Sequence, residues 1–237
     1  MHVSDRLSVD AVKAHAQGAL ERIAAHPFVR EAAAGRLGRA QTLRWVLCAG
    51  RESRVYPTLL ANVISWVPDA AVAEILRGNL DDELGNGDIA KAHFQYYLYL
   101  LDRLGIPRAV FDAYREGPGV TLALELARNI STLRNPAIAL GYMAVNEGMT
   151  PVAFSAAKVI VSTHFPGVSA DFFDLHIAID EWHVAELYRA LACLDQASLA
   201  DVRYGIDLGE RGMGALLDEA FGIYEYSAST GETVAPS

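Results

Sequence analysis

The sequence reads Asp174-Leu175-His176-Ile177-Ala178-Ile179-Asp180-Glu181-Trp182-His183 in the stretch that says most about its fold. On an α-helix each residue turns by about 100°, so His176, Asp180 and His183 lie within about 60° of one another over two turns. Imidazoles and a carboxylate that point in one direction suit iron, manganese or zinc. A solvated polar stripe would have the same spacing. The stretch therefore predicts a helix with a candidate metal-binding face.

Helical periodicity continues along the rest of the chain, and no strand-like alternation flanks a hairpin signal. Eight helices are predicted, at residues 9–26, 39–67, 70–84, 90–104, 120–133, 136–164, 170–194 and 198–226. The separators are short and contain Pro or Gly, so consecutive helices should pack as antiparallel neighbours. We therefore predict an all-α fold, with one helical-bundle domain over residues 1–226 and a disordered polar tail at 227–237.

Composition narrows the possible functions. The chain has 237 residues and a formal net charge of −9, with no block of Lys and Arg that would follow a phosphate backbone, so nucleic acid is not an expected partner. Cys48 and Cys193 are isolated, which fits a reducing cytoplasm. The most hydrophobic stretch contains Glu147 and Lys158, which favours a buried core helix over a membrane span. The N-terminus lacks the apolar core of a signal peptide. We expect a cytoplasmic protein without a membrane segment.

Two glutamates stand in the middle of apolar helical faces. Glu52 has Cys48 and Tyr56 as same-face neighbours, and Glu147 has Met143. Desolvating a charge in such a place is unfavourable unless something neutralises it. Each glutamate alone could be protonated or paired with a buried arginine. Because two of them lie on different helices and a histidine-bearing helix accompanies them, a shared cation is the simpler explanation.

A further pair of candidates is Glu83 and His93, which are ten residues apart. On one continuous helix they would be about 15 Å apart and could not share a metal ion. Gly85 and Gly87 offer a break that would fold His93 back towards Glu83. An ordinary interhelical turn is the alternative interpretation of this segment.

Together these elements supply four carboxylates and three imidazoles on separate helices. The candidates are Glu52, Glu83, His93, Glu147, His176, Asp180 and His183. This inventory suits two divalent ions in a helical bundle, because four carboxylates offset the charge of two divalent cations.

The order of these residues resembles that of the haem-oxygenase-like diiron oxidases and oxygenases. The resemblance rests on a helix Glu, then Glu-x-Gly-x-Gly-x5-His, then a lone helix Glu, then His-x3-Asp-x2-His, and it covers about residues 24–189. His26-Pro27-Phe28 also resembles an opening common in that superfamily. The resemblance implies a haem-oxygenase-like bundle of about seven core helices in which all seven candidates are metal ligands. Ferritin-like diiron proteins instead carry two Glu-x-x-His pairs, and this sequence has none.

The same resemblance implies cofactors and a reaction. Two ferrous ions would be the cofactor, with manganese as an alternative metal, and dioxygen would be the cosubstrate. The reaction would begin with C–H abstraction from a small amino-acid-like substrate and end in desaturation, cyclisation or C–C cleavage, in specialised-metabolite biosynthesis. We expect an external electron donor, since the sequence has no flavin or nicotinamide fingerprint. A homodimer is compatible with this class.

Large side chains near the candidate ligands are candidates for the lining of a substrate pocket, although ordinary core packing would place them similarly. They are Trp45, Tyr56, Met143 and Phe154. An amino-acid substrate would need a basic group for its carboxylate. Arg51, Arg54 and Arg189 are close to ligands in sequence but project away from the ligand-bearing faces, so none is nominated.

Three alternatives remain open. A diiron N-oxygenase acting on an amine would leave oxygen derived from dioxygen in its product. A metal-free enzyme of the same fold would be either thiaminase-like or a cofactorless quinone-forming oxidase. The thiaminase-like enzyme would use a Cys nucleophile with a nearby carboxylate, and Cys48, one helical turn before Glu52, is the candidate. A non-catalytic interaction protein would neither bind metal nor consume oxygen.

Overall fold

The structure is a computed structural model that describes residues 7–169 and 171–223. Within these ranges it contains ten α-helices, two short 3-10 turns and no β-strand, so the all-α prediction is confirmed. The helices are α1 (Val9–Ala24), α2 (Pro27–Ala33), α3 (Arg39–Trp66), α4 (Ala70–Glu83), α5 (His93–Arg103), α6 (Arg108–Asp112), α7 (Pro118–Thr132), α8 (Pro136–His164), α9 (Asp171–Leu191) and α10 (Leu199–Phe221). The predicted tail at 227–237 and the end of the last predicted helix lie outside the described residues.

Helix α8 lies at the centre of the bundle. It is apolar on nearly every face, and a helix of this kind is stable only when it is buried. It packs against α1, α2, α3, α9 and α10. Residues 137–149 are buried without interruption, and Glu147 belongs to this segment. No helix in the described ranges combines the length and the apolar run needed to cross a bilayer.

Helices α8 and α10 touch backbone to backbone at two glycines. A Cβ on Gly141 would overlap the carbonyl oxygen of Val202, and a Cβ on Gly205 would overlap that of Ile138. Glycine at both positions therefore lets α8 and α10 approach each other closely. This contact fixes the position of α8, and with it the position of Glu147.

A buried carboxylate on α10 holds the start of α7. Glu219 accepts backbone N–H bonds from Gly117 and Val120, each at 2.8 Å, and a hydroxyl bond from Tyr114 at 2.9 Å. The first N–H groups of a helix have no partner within the helix, and a negative charge is favourable there. Glu219 thus caps α7 from a neighbouring helix.

Two short helices were not predicted. The predicted helix 9–26 ends early, because His26 caps α2 by accepting the Phe28 backbone N–H at its Nδ1, 3.1 Å away. The other missed element is α6, whose five residues are too few for a periodic pattern. The remaining predicted boundaries differ by three residues or fewer, except that the predicted helix 198–226 extends past the described residues.

Candidate metal centre

Five helices bring all seven candidate residues to one place in the bundle. Helix α3 contributes Glu52, α4 Glu83, α5 His93, α8 Glu147, and α9 His176, Asp180 and His183. Six of these side chains are buried, and Glu52 is half-buried. One ligand atom from each of Glu83, Glu147 and His183 lies within 4.8 Å of the other two. Residues that are up to about 130 positions apart in the sequence therefore form a single cluster.

Glu147 is held by three neighbours. Its Oε1 accepts hydrogen bonds from the Tyr56 hydroxyl at 2.5 Å and from the Asn79 amide at 3.0 Å. Its Oε2 faces His183 Nδ1 at 3.3 Å. Pro151, one turn later in α8, has no N–H to donate to the Glu147 carbonyl, so this helical hydrogen bond is absent beside the site.

The predicted glycine break folds His93 back onto Glu83. Gly85, Asn86 and Gly87 all have positive φ, and a Cβ on Gly85 would overlap the carbonyl oxygen of Asp88. The turn leads through a 3-10 segment to α5, which begins at His93. His93 Nδ1 consequently lies 3.0 Å from Glu83 Oε1. Two ligand atoms that bind the same ion at about 2.0–2.2 Å, in adjacent coordination positions, lie about 3 Å from each other. The distance between His93 Nδ1 and Glu83 Oε1 is therefore compatible with a shared ion.

The three candidates on α9 share one buried face, as their spacing predicted. His176 Nδ1 donates to the Phe172 carbonyl at 2.7 Å, because a carbonyl oxygen can only accept. Its Nε2 lone pair is therefore free for a metal ion. The ring of His176 lies 4.6 Å from that of His93, measured between centroids. His183 Nδ1 lies 3.7 Å from Asp180 Oδ1 on the same helix.

A small cavity joins these groups. Its volume is about 40 Å³, which is room for on the order of three water-sized species. The lining residues are Glu52, Ser53, Tyr56, Glu83, Asn146, Glu147, Thr150, Phe154, His176 and Asp180. Four carboxylates line it, and none of these ten described residues is a lysine or an arginine. The negative charge must therefore be neutralised by bound protons or by bound cations.

The pKa values show how the metal-free site neutralises itself. Burial, together with the charges of Glu83 and Glu147, raises the pKa of Glu52 to about 8, against the opposing effect of a hydrogen bond from Asn146. Burial likewise holds the pKa of Asp180 well above its usual range. These two carboxyls therefore keep protons near neutral pH when no cation is bound.

Glu147 and the histidines behave differently. Burial alone would raise the pKa of Glu147, but hydrogen bonds from His183, Tyr56 and Asn79 outweigh it and lower that pKa. Burial opposes protonation of His183, yet its contact with Glu147 gives it a net raised pKa. Burial, together with the neighbouring His93, lowers the pKa of His176 to about 3. His176 is thus a neutral imidazole, the form that binds metals.

The four predicted pocket residues separate into two pairs. Tyr56 and Phe154 line the cavity. Trp45 and Met143 do not, because both are buried one or two turns away from the ligands and the cavity does not extend that far. Trp45 packs instead among aromatic rings, including that of Phe173 at 6.0 Å.

The prediction missed two carboxamides. Asn79 donates to Glu147, and Asn146 donates to Glu52 Oε1 at 3.2 Å. Both are buried, and the Oδ1 atom of each has no hydrogen-bond partner among the described residues. Asn146 directly precedes Glu147 in sequence, but a single sequence does not show which helix faces it. A buried amide with one unmet acceptor is typical of a site that binds something more.

Cys48 is not arranged as a nucleophile. Its side chain is fully buried, burial raises its pKa to about 12, and its sulfur lies 3.3 Å from the Tyr114 hydroxyl. A thiol in this state is unreactive. This geometry disfavours the thiaminase-like alternative.

The arginines named in the sequence analysis also lie away from the cavity. Arg51 donates to the Tyr114 carbonyl at 2.6 Å, Arg54 pairs with Asp112, and Arg189 pairs with Glu186. None of the three is a substrate anchor in this structure.

Comparison with known proteins identifies the family and the fold of the chain. A family model described as iron-containing redox enzymes matches residues 52–209, more than half of the chain. A domain of unknown function with a haem oxygenase-like fold from Shewanella denitrificans superposes with a TM-score of 0.73 at 19% identity, covering 96% of both chains. A TenA homologue from Pseudomonas syringae pv. tomato gives 0.72 at 13% identity, with coverage of 93% and 95%. A CADD-like protein of unknown function from Nostoc punctiforme gives 0.67 at 16% identity, with coverage of 87% and 96%. No curated protein matches the sequence.

The chain therefore belongs to the family of iron-containing redox enzymes and has the haem-oxygenase-like fold. Both the resemblance and the fold class inferred from the sequence are confirmed. The residues at the site fit a metal ion of this kind, since four carboxylates and the imidazole of His176 line a cavity whose lining includes no lysine or arginine.

Proposed function

We propose that this protein is an oxygen-using, non-haem diiron oxidase that acts on a small amino-acid-like substrate. The observation that carries the proposal is a cavity lined by four carboxylates and His176, without a lysine or arginine among its lining residues. His93 and His183 contact two of these carboxylates, Glu83 and Glu147. A buried set of this charge is matched by two divalent cations.

We assign the seven candidate residues as the ligands. Glu83, Glu147 and His183 would hold one ion, with His93 beside Glu83, since their ligand atoms are closest together. The remaining candidates, Glu52, His176 and Asp180, line the other part of the cavity and would hold the second ion. Manganese could occupy the same ligands, because it prefers similar donors.

When bound, the two ferrous ions would supply electrons and open positions for dioxygen. The protein's own groups do the positioning. Tyr56 and Asn79 fix Glu147 in one orientation, and the Phe172 carbonyl fixes the ring of His176. Most of the candidate ligands are buried, which limits their contact with bulk water and so protects reactive species from side reactions. The electron donor would be external, as the sequence predicts.

The substrate assignment rests on the size and polarity of the cavity. With two ions in place, a volume of about 40 Å³ leaves room beside them for only a small reacting group. Ser53, Thr150 and Asn146 offer polar atoms beside the apolar ring of Phe154. An amino acid or a close derivative combines these two characters. The reaction would begin by abstraction of a C–H hydrogen and end in desaturation, cyclisation or C–C cleavage, a type of step used in specialised-metabolite biosynthesis.

The test is oxygen consumption by protein loaded anaerobically with ferrous iron, with and without a panel of amino acids and their derivatives. Substrate-dependent uptake of dioxygen, lost in a His176→Ala variant, would support the proposal. Product analysis with labelled dioxygen separates it from N-oxygenation of an amine, which retains the label, whereas desaturation does not. Iron-loaded protein that consumes no oxygen with any member of the panel would count against it.

A further inference from the structure

An aspartate outside the candidate ligand set contacts His183 at the ring nitrogen that does not face Glu147. Asp82 is the penultimate residue of α4, next to Glu83, and its side chain is about a quarter exposed. Its Oδ2 lies 3.4 Å from Nε2 of His183, whose own side chain is fully buried. His183 Nδ1, on the other edge of the ring, faces Glu147. The two ring nitrogens of His183 therefore contact two different carboxylates.

Asp82 is itself held in place by the glycine turn. Asn86 donates its Nδ2 proton to Asp82 Oδ1 at 2.7 Å. Asn86 has a φ of 53°, a conformation that asparagine tolerates better than most residues. The turn that brings His93 back to Glu83 therefore also orients the Asp82 carboxylate. Asp82 lines an outer pocket of about 280 Å³ on this side of the bundle, together with Asn86 and His93.

We propose that Asp82 is a positioning residue of the metal centre: its carboxylate accepts the Nε2–H of His183 and turns Nδ1 toward the ligand cluster. This inference rests on the proposed metal-binding function. Asp82 cannot reach an ion bound at Nδ1, because Nε2 points to the opposite edge of the ring. It acts only through His183.

The chemistry of imidazole supports this assignment. A ring nitrogen that ligates a cation must be unprotonated, so the remaining proton must be on the other nitrogen. An acceptor at Nε2 selects that arrangement and fixes the plane of the ring. A bound cation also withdraws electron density from the ring and strengthens donation from Nε2–H to a carboxylate. The 3.4 Å contact should therefore shorten on metal loading.

His176 has an equivalent arrangement, in which one ring nitrogen donates to a fixed acceptor and the other is left free. Its acceptor is the Phe172 carbonyl, and the nitrogen left free is Nε2 rather than Nδ1. Each histidine on α9 thus has a fixed acceptor, from the backbone in one case and from Asp82 in the other. Removing such an acceptor from a metal-binding histidine weakens metal affinity by about 10–100-fold in known sites.

The experiment measures Mn²⁺ and Co²⁺ affinity by competition with a chelator. We expect Asp82→Ala to weaken at least one of the two sites by about 10–100-fold. Asp82→Asn keeps an acceptor oxygen and should lose less than Asp82→Ala. Asn86→Gly, which keeps the backbone conformation and removes only the hold on Asp82, should also lose less. Asp81→Asn is the matched control, since it removes the same charge from an exposed neighbour and should bind like the wild type.

A second measurement separates positioning from a general loss of structure. In zinc-loaded protein labelled with ¹⁵N-histidine, the Nε2–H proton of His183 should be protected and visible in the wild type and in Asp82→Asn. It should exchange too fast to be seen in Asp82→Ala, while the signals of His176 are unchanged. Wild-type protein that binds no metal would refute the proposed function itself. Wild-type protein that binds metal, with an Asp82→Ala affinity within about twofold and an unchanged His183 signal, would overturn this inference alone.

Discussion

Metal loading should release protons, and the amount should depend on pH in a way set by Glu52. Its pKa of about 8 in the metal-free protein means that it is almost fully protonated at pH 6.5 and about one quarter protonated at pH 8.5. A cation binds the ionised carboxylate, so loading must displace this proton. The contribution of Glu52 to proton release should therefore fall by about 0.7 proton between these two pH values. Asp180, whose pKa is also raised, adds to the total release at the lower pH.

The sign of the affinity change follows from the same linkage. Below pH 8 protons compete with the cation for Glu52, so the apparent affinity should rise with pH and then level off once Glu52 is ionised. Isothermal titration with Mn²⁺ in two buffers of different ionisation enthalpy gives the proton count at each pH. Loading that releases no proton at pH 6.5, or the same number at both pH values, would refute the claim that the metal-free site is neutralised by bound protons.

Other consequences of the structure can be measured by thermal unfolding. Gly205→Ala, which forces a Cβ against α8, should destabilise the protein by about 1–3 kcal/mol. The control Gly214→Ala, on the same helix, places a Cβ that meets nothing within 4 Å and should stabilise the protein by up to about 1 kcal/mol. Equal effects of the two variants would refute the close contact between α8 and α10. Glu219→Ala should lower the free energy of unfolding by on the order of 2–5 kcal/mol, because it leaves the buried N–H groups at the start of α7 unpaired, and Glu219→Gln should lower it less. A Glu219→Ala variant as stable as the wild type would refute the capping role of Glu219. Because the folded-state pKa of Glu52 lies above its usual 4.5, the metal-free protein should lose stability as pH rises from about 4.5 to about 8, and Glu52→Gln should flatten this part of the profile.

The helical fold could be predicted because its signal is local. Each long helix has its own apolar period, and most of them end near a Pro or Gly, so eight of the ten helices in the described ranges were located from the sequence. The spacing of His176, Asp180 and His183 is likewise a property of one helix, and it places them on one face whatever surrounds them. The turn from Glu83 to His93 was different. The glycines indicated a break, but only the resemblance to a family indicated that the break would fold His93 back.

The rest of the site depends on which helices are neighbours. Asn79, Asp82 and Asn146 contact ligands that lie on other helices, and nothing in the local sequence of these residues marks such a partner. The prediction for Trp45 and Met143 shows the opposite limit. Helical spacing put them on the ligand-bearing faces, but neither side chain is among the residues that line the cavity. Side-chain direction follows from sequence, whereas the extent of a cavity follows from packing.

The most direct test of the central claim is anomalous diffraction at the iron absorption edge from crystals of protein loaded anaerobically with ferrous iron. We predict two peaks per chain, both within bonding distance of the seven candidate residues, with Glu83, Glu147 and His183 at one of them. Crystals of loaded protein that show one peak, no peak, or peaks away from these residues would contradict it.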